Sequence, residues 1–167
     1  IGNWFTPRIR KRSRYLNHAK EVTMWRDLVQ SFGVPVVFGQ PTPQGSIEST
    51  ESRLEQSLPE EIRSLLIEMN GLTGRYGIDI AWTAERIAQD NEAFRITPTF
   101  AELYSPFNSL IFFGDNGSGD QFAYQSNPPR PDILVWDHET DKRKIVAPSL
   151  RAYLTSSLQS NGEDWYR

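Results

Sequence analysis

The polar side chains best placed for chemistry stand in one glycine-rich loop, GDNGSGD, at residues 114–120. A phosphate-binding loop would need a lysine and a following helix; this loop has neither, and its two carboxylates would repel phosphate. Its possible calcium ligands are Asp115, Asn116, Ser118 and Asp120. Their spacing misses the EF-hand alternation, and Ser126 stands where the EF-hand glutamate would be. We therefore expect a tight turn whose acids cap backbone N–H groups, and no calcium site.

Histidine chemistry is the second possibility. The sequence contains two histidines, His18 and His138, and nothing in the pattern places them together. His138 stands in the run WDHE, between Asp137 and Glu139. Neighbouring side chains on a strand point to opposite faces, so an adjacent acid does not make a catalytic dyad. General acid–base catalysis by His138 with Asp137 or Asp115 is an alternative. We favour a partly exposed turn histidine, and we predict no catalytic residue, metal ligand or cofactor.

Length and composition favour one globular domain. A chain of 167 residues is most simply a single domain whose core is large enough to need no disulfide or metal. The sequence contains no cysteine, which excludes disulfides and thiolate metal sites. No run approaches the ~18 apolar residues of a membrane span, and the N-terminus lacks an apolar signal-peptide core. We expect a cytoplasmic protein with no membrane partner.

The net charge of −3 hides an uneven distribution. Residues 1–20 contain six basic side chains and no acid, whereas residues 21–167 contain 12 bases and 21 acids. A basic segment suits nucleic acid or a membrane surface, but it is also typical of a solvated terminus. We predict that residues 1–17 form a flexible basic arm and that the protein has no direct nucleic-acid partner. The acidic remainder suits a basic partner.

Hydrophobic spacing and turn residues predict the elements that position these side chains. Helical segments are expected over about 18–33, from Thr42-Pro43, over 59–70, over 83–94, as a short turn capped by Thr99, and from Pro148. Strands are expected over 110–113, 122–124, 133–136 and 143–146, with a small hairpin or an edge strand within 72–82. We place the hairpin formed by the first two strands at the centre of the sheet. The predicted core comprises Ile62, Leu65, Leu66, Met69, Phe112, Phe113, Val135, Trp136 and Leu154.

The order of these elements predicts the fold class. Helices come first, followed by strands, a helix, more strands and a final helix. Regular βα alternation would indicate a parallel sheet, whereas this order favours a single-domain α+β fold, with a mainly antiparallel sheet and helices packed on it. We assign the domain to residues 18–160 and a C-terminal tail to residues 161–167.

Several motifs, in this order and spacing, resemble the SUKH superfamily, which includes yeast cell-wall-synthesis regulators and many bacterial immunity proteins. The resemblance covers about residues 20–158 and rests on Leu58–Ile62 with Asn70-Gly71, Trp82 with Ile87, Asn91 and Phe94, Leu110–Phe122, Val135–Glu139, and Val146–Leu150. It implies an α+β fold and a non-enzymatic binding domain. Bacterial members are often small cytoplasmic proteins that bind and neutralise toxin domains, many of them nucleases.

The candidate residues fall into two groups. The resemblance implies a structural role for the motif residues Trp82, Asn91, Gly114, Asn116, Gly117, Gly119 and Trp136. The charge pattern selects acids on turns and on a polar helix face as contacts for a basic toxin domain: Asp115, Asp120, Asp137, Glu139, Asp141, Glu51 and Glu55. We therefore expect a toxin-neutralising immunity protein. The alternative is a regulatory or scaffolding interaction module with no toxin partner.

Overall fold

A computed structural model describes residues 24–167. The predicted basic arm and the start of the domain at residue 18 lie outside this range. Within it, the helices are α1 (Met24–Ser31), α2 (Ser46–Leu54), α3 (Glu60–Glu68), α4 (Ala84–Ile96), α5 (Pro98–Leu103) and α6 (Leu150–Gln159). The strands are β1 (Val37–Phe38), β2 (Leu72–Thr73), β3 (Asp79–Ala81), β4 (Leu110–Asp115), β5 (Gln121–Ser126), β6 (Pro129–Trp136) and β7 (Arg143–Ala147). A 3₁₀ turn, Arg75–Gly77, connects β2 to β3.

The strands form two antiparallel sheets, one with the order β1-β2-β3 and the other with the order β4-β5-β6-β7. Together with the helices they make one α+β domain, which confirms the predicted fold class. The placement of the β4–β5 hairpin at the centre of the sheet is wrong. Strand β4 forms one end of the larger sheet, and β5 and β6 occupy its middle.

Two contacts from outside the larger sheet cover the backbone of β4. The backbone N–H of Trp82, just after β3, donates to the carbonyl oxygen of Phe113 at 2.7 Å. The buried amide of Asn91 on α4 bonds to both backbone polar groups of Phe112, each at 2.8 Å. Buried backbone groups need such partners, because an unpaired one costs free energy comparable to a lost hydrogen bond. Asn91 and the residue after β3 thus form hydrogen bonds with β4 of the kind that a neighbouring fifth strand would form.

The core lies between the larger sheet and helices α3, α4 and α6. All nine predicted core residues are buried, with at most 4% of any of them exposed, so this prediction is confirmed. Glu61 on α3 ties the layers together, because its Oε2 accepts hydrogen bonds from the Tyr124 hydroxyl at 3.0 Å and from the backbone N–H of Leu150 at 2.9 Å. Burial and the Glu61 carboxylate raise the pKa of Tyr124, which therefore stays a donor.

Side-chain caps begin two of the predicted helices. Thr83 precedes α4 as expected, and its hydroxyl accepts from the backbone N–H of Arg86 at 3.1 Å. Ser149 caps α6 in the same way through Ala152, at 3.2 Å. The helix therefore begins just after the predicted Pro148. An oxygen at this position satisfies one of the N–H groups that the first turn leaves unpaired.

Two other predicted helix starts are wrong. Helix α2 begins at Ser46 after a left-handed glycine, and not at Thr42-Pro43. The Thr42 hydroxyl instead donates to the carbonyl oxygen of Leu66 at 2.6 Å. The hydroxyl that would cap a helix at this position is therefore used in a contact with α3. Helix α5 begins at Pro98, which places Thr99 inside the helix and not at its cap.

Gly114 is required where β4 passes the smaller sheet. A Cβ atom at this position would overlap the carbonyl oxygen of Ile80. We expect Gly114→Ala to lower the free energy of unfolding by about 3 kcal/mol, because backbone must move to admit the methyl group. Gly77→Ala is the matched control: Gly77 has φ +73° and open space around it, so only about 1 kcal/mol of backbone strain is expected. Urea unfolding measures both variants, and equal losses would contradict the close approach.

Candidate functional site

Three segments meet at one end of the larger sheet. They are the β4–β5 loop at residues 116–120, the β6–β7 turn at 137–142, and the C-terminal residues 161–167. The two connections share that end because the four strands run antiparallel in chain order. Five of the seven acids predicted to contact a partner lie there: Asp115, Asp120, Asp137, Glu139 and Asp141.

Asp115 links the glycine-rich loop to the smaller sheet and to α4. Its Oδ2 accepts hydrogen bonds from Trp82 Nε1 at 2.7 Å and from Arg86 Nη2 at 2.9 Å. The Arg86 guanidinium lies over the Trp82 ring, 4.2 Å from its centroid. Only 13% of the Asp115 side chain is exposed. These contacts make Asp115 and Trp82 parts of one internal network.

The glycine-rich loop is the tight turn predicted from the sequence. Asp115 Oδ1 accepts from the backbone N–H of Gly117 at 2.8 Å, and Asn116 Oδ1 accepts from that of Ser118 at 2.9 Å. Gly117 has φ +78° and Gly119 has φ +122°, which a side chain would disfavour. The predicted capping by an acid is therefore confirmed for Asp115, and the amide of Asn116 caps the loop in addition.

Asp120 does not lie at the surface, and its selection as an exposed contact for a partner is wrong. Its side chain is 2% exposed. Oδ1 lies 2.8 Å from His138 Nδ1, and Oδ2 accepts from the Tyr166 hydroxyl at 2.8 Å and from Arg167 Nη2 at 3.2 Å. Burial and the Asp120 carboxylate raise the pKa of Tyr166, which keeps the phenol protonated as a donor. A buried carboxylate is retained when it is paired in this way.

The β6–β7 turn holds two acids whose carboxylates are used inside the protein. Asp137 Oδ1 accepts from the backbone N–H of Glu139 at 2.9 Å and of Thr140 at 3.1 Å. Asp141 accepts from Trp136 Nε1 at 2.9 Å and from the backbone N–H of Ser105 at 2.8 Å. Burial alone would raise the pKa of Asp141, but these hydrogen bonds outweigh it and the pKa lies below its ordinary value. Glu139 remains exposed between them.

The two acids predicted on the polar helix lie apart from this end of the sheet. Glu51 on α2 accepts from the backbone N–H of Leu58 at 3.0 Å and pairs with Arg63 Nη1 at 2.9 Å. Glu55 caps the C-terminus of α2 with φ 55° and is exposed. Among the described residues, no hydrogen bond or ion pair connects either acid to the loops, so the seven acids do not form one patch.

Within residues 24–167, His138 and its neighbours form the one group of His, Asp or Glu side chains close enough together to hold a metal ion. Asp120, Asp137 and His138 each offer a ligand atom within 4.8 Å of the others. The Asp120 oxygens already bond to His138, Tyr166 and Arg167, so a metal would have to displace these contacts. The partner of the His138 ring is Asp120, and neither Asp137 nor Asp115, the two acids considered with it from the sequence. No hydroxyl in the described part of the chain bonds to the other ring nitrogen, so a nucleophile is not in place.

The C-terminal segment packs on the larger sheet. Within residues 161–167, predicted from the sequence as a tail, Tyr166 is buried and Trp165 stacks on Phe122 with ring centroids 5.9 Å apart. Lys144 Nζ on β7 donates to the carbonyl oxygen of Tyr166 at 2.9 Å. The sequence contains one indication of this packing: Trp165 and Tyr166 stand in an otherwise polar segment, and large aromatic side chains are rarely left in water.

Comparison with known proteins agrees with this architecture. A sequence model of the SUKH_6 family, described as SMI1-KNR4 cell-wall, matches residues 44–154, more than half of the chain. No curated protein matches the sequence. Among the described residues there is no helix with the length and apolar character of a membrane span. The matched range contains the glycine-rich loop, the β6–β7 turn and the Asn91 contact.

Proposed function

The chain belongs to the SUKH superfamily, through its SMI1-KNR4 family, and we propose that it is a bacterial immunity protein that binds and neutralises a basic toxin domain. Membership is consistent with an immunity-like domain or with a cell-wall regulator domain. A nuclease is the kind of toxin that fits best, because its groove for phosphate is basic. The protein acts in the cytoplasm as a binding domain, without catalysis, cofactor or metal.

The charge of the folded domain is the observation that carries this proposal. Residues 21–167 contain 21 acids and 12 bases, and several arginines are each surrounded by more than one carboxylate. Arg86 pairs with Asp79, Asp90 and Asp115 at 2.6 to 3.0 Å. Each of these arginines offsets the charge of only one carboxylate, so the excess of acids remains and the domain is acidic overall. Opposite fields raise the association rate of two proteins and favour a basic partner over an acidic one.

The exposed acids are the ones we propose as direct contacts. Glu139 on the β6–β7 turn and Glu55 at the end of α2 are free to meet a partner. Asp115, Asp137, Asp141 and Glu51 bond within the domain, so their role is to hold the shape of the surface. We do not propose Asp120 as a contact, because its side chain is buried.

Association kinetics with the toxin domain encoded next to this gene test the proposal. We expect Glu139→Lys to slow association several-fold at low salt and to weaken its salt dependence, because an exposed charge acts mainly on the encounter rate. Lys142→Glu, on the same exposed turn, should act in the opposite direction. Stopped-flow fluorescence at several salt concentrations measures both rates. If the purified pair does not associate, the proposal fails and the regulatory-module alternative takes its place.

A further inference from the structure

A cleft with aromatic walls lies between the smaller sheet and the C-terminal segment. Residues 34–36, the β2–β3 connection and the end of α6 enclose it. Its apolar lining comprises Ile78, Ile80, Phe122, Tyr153, Leu158 and Trp165. The rings are fixed by one another, because Phe122 stacks on Trp165 and lies 4.9 Å from the centroid of Tyr153. The cleft is therefore a preformed apolar recess, the kind of feature that binding sites use.

Tyr76 stands beside this cleft in a conformation that its side chain disfavours. Its φ is +58°, and 84% of the residue is exposed. The ring lies against Gly162, where a Cβ atom would be 2.8 Å from Tyr76 Cδ2. Left-handed backbone at a non-glycine residue costs free energy, and such residues are frequent at binding sites. An exposed tyrosine is also a common anchor in protein interfaces.

The polar lining of the cleft is acidic. Asp115, Glu163 and Asp164 contribute carboxylates, and among the residues that the structure describes only Arg75 contributes a basic side chain. Asp115 and Asp164 already pair with Arg86 and Arg167. The Glu163 side chain has no hydrogen-bond or ion-pair partner among the described residues. A cation entering the cleft would therefore find one unused carboxylate and the partly exposed ring of Trp165.

Two arginines of this domain, close to the cleft, each contact an aromatic ring and a carboxylate at the same time. Arg86 lies over the Trp82 ring while it pairs with Asp115. Arg167 lies 5.8 Å from the Tyr166 ring centroid while Nε pairs with Asp164 at 2.8 Å. A guanidinium suits this environment better than an ammonium, because its plane stacks on rings and its N–H groups match a carboxylate.

We propose that this cleft receives an arginine side chain of the partner protein. The aliphatic stem packs on Ile78, the guanidinium faces the ring of Trp165 and pairs with Glu163, and Tyr76 contacts the partner's backbone beside the arginine. The inference rests on the proposed function for the basic character of the partner. It adds a specific anchor to an attraction that is otherwise only long-range.

Titration of the full chain with N-acetyl-L-arginine methylamide, followed by two-dimensional ¹H–¹⁵N NMR, tests the cleft without any toxin. We expect saturable shifts at Ile78, Gly162 and the Trp165 indole, with millimolar affinity. The citrulline analogue has nearly the same shape without the charge and should bind much more weakly. Glu163→Gln should weaken binding of the arginine probe about threefold, and Glu139→Gln, at an exposed acid elsewhere, should leave it unchanged.

Three results would overturn the inference: no saturable shift in the cleft, equal binding of the citrulline probe, or no effect of Glu163→Gln. A fourth is probe binding that appears only when Arg8, Arg10, Arg12 and Arg14 are all changed to glutamine, because the occupant would then be this chain itself. If the probe binds but the toxin is not neutralised, the immunity role alone is rejected. If neutralisation survives without probe binding, the cleft alone is rejected.

Discussion

Leu65→Ala is expected to lower the free energy of unfolding by about 2–5 kcal/mol, because it removes buried methyl groups and leaves a cavity that rigid neighbours cannot fill. Leu65 is fully buried on α3, among the side chains that pack beneath the larger sheet. Urea denaturation followed by tryptophan fluorescence measures the loss, with an unchanged slope expected.

Ile67→Ala on the same helix is the matched control. Ile67 is 52% exposed, so its truncation should change stability by no more than about 0.5 kcal/mol. A loss for Leu65→Ala as small as that of the control would show that this face of α3 does not form the core.

Asp120→Ala should lower the free energy of unfolding by about 2–4 kcal/mol, because buried or partly buried donors lose their acceptor. The donors affected are the Tyr166 hydroxyl, Arg167 Nη2 and the His138 ring. Because Tyr166 and Trp165 hold the C-terminal segment on the sheet, their fluorescence should also shift towards that of solvent-exposed rings. Thermal and urea unfolding, with emission spectra of the folded state, measure these effects.

Glu139→Ala provides the comparison for Asp120→Ala, since both remove one carboxylate from neighbouring connections. Glu139 is exposed, so Glu139→Ala should change the free energy of unfolding by no more than about 0.5 kcal/mol. Similar small losses for the two variants would mean that Asp120 is not the acceptor that holds the C-terminal segment.

The parts of the fold that were predictable are those with local causes. The spacing of Ile62, Leu65, Leu66 and Met69 defines the buried face of α3 from sequence alone, since side chains at that spacing lie on one side of a helix. Thr83 begins α4 for an equally local reason, because its hydroxyl bonds to a backbone group three residues away.

The parts that were missed depend on residues far apart in sequence. An aspartate in a glycine-rich loop has the appearance of a solvated acid, and Asp120 is buried only because Tyr166 and Arg167 return to cover it. Thr42 is not a helix cap because Leu66 takes its hydroxyl. The position of β4 at the end of its sheet depends on Asn91 and Trp82, whose contacts with its backbone no periodicity reveals.

The same distinction applies to the candidate site. The acidic excess is readable from composition, so the proposal of a basic partner could be made from the sequence. Which acids would face such a partner could not be predicted, because Asp115 and Asp141 stand on turns like Glu139 yet bond within the domain. The cleft beside Tyr76 was also unpredictable, since its walls come from residues that span most of the described chain.

Co-expression with the proposed toxin domain tests the central claim most directly. Cells that express the toxin alone should stop growing, and cells that also express this protein should grow at the rate of cells without toxin. The destabilised variant Leu65→Ala should protect less, in proportion to its loss of folded protein, which excludes protection by a mere effect on toxin expression. If cells die equally fast with and without the wild-type protein, while the protein is folded and abundant, the immunity role is contradicted.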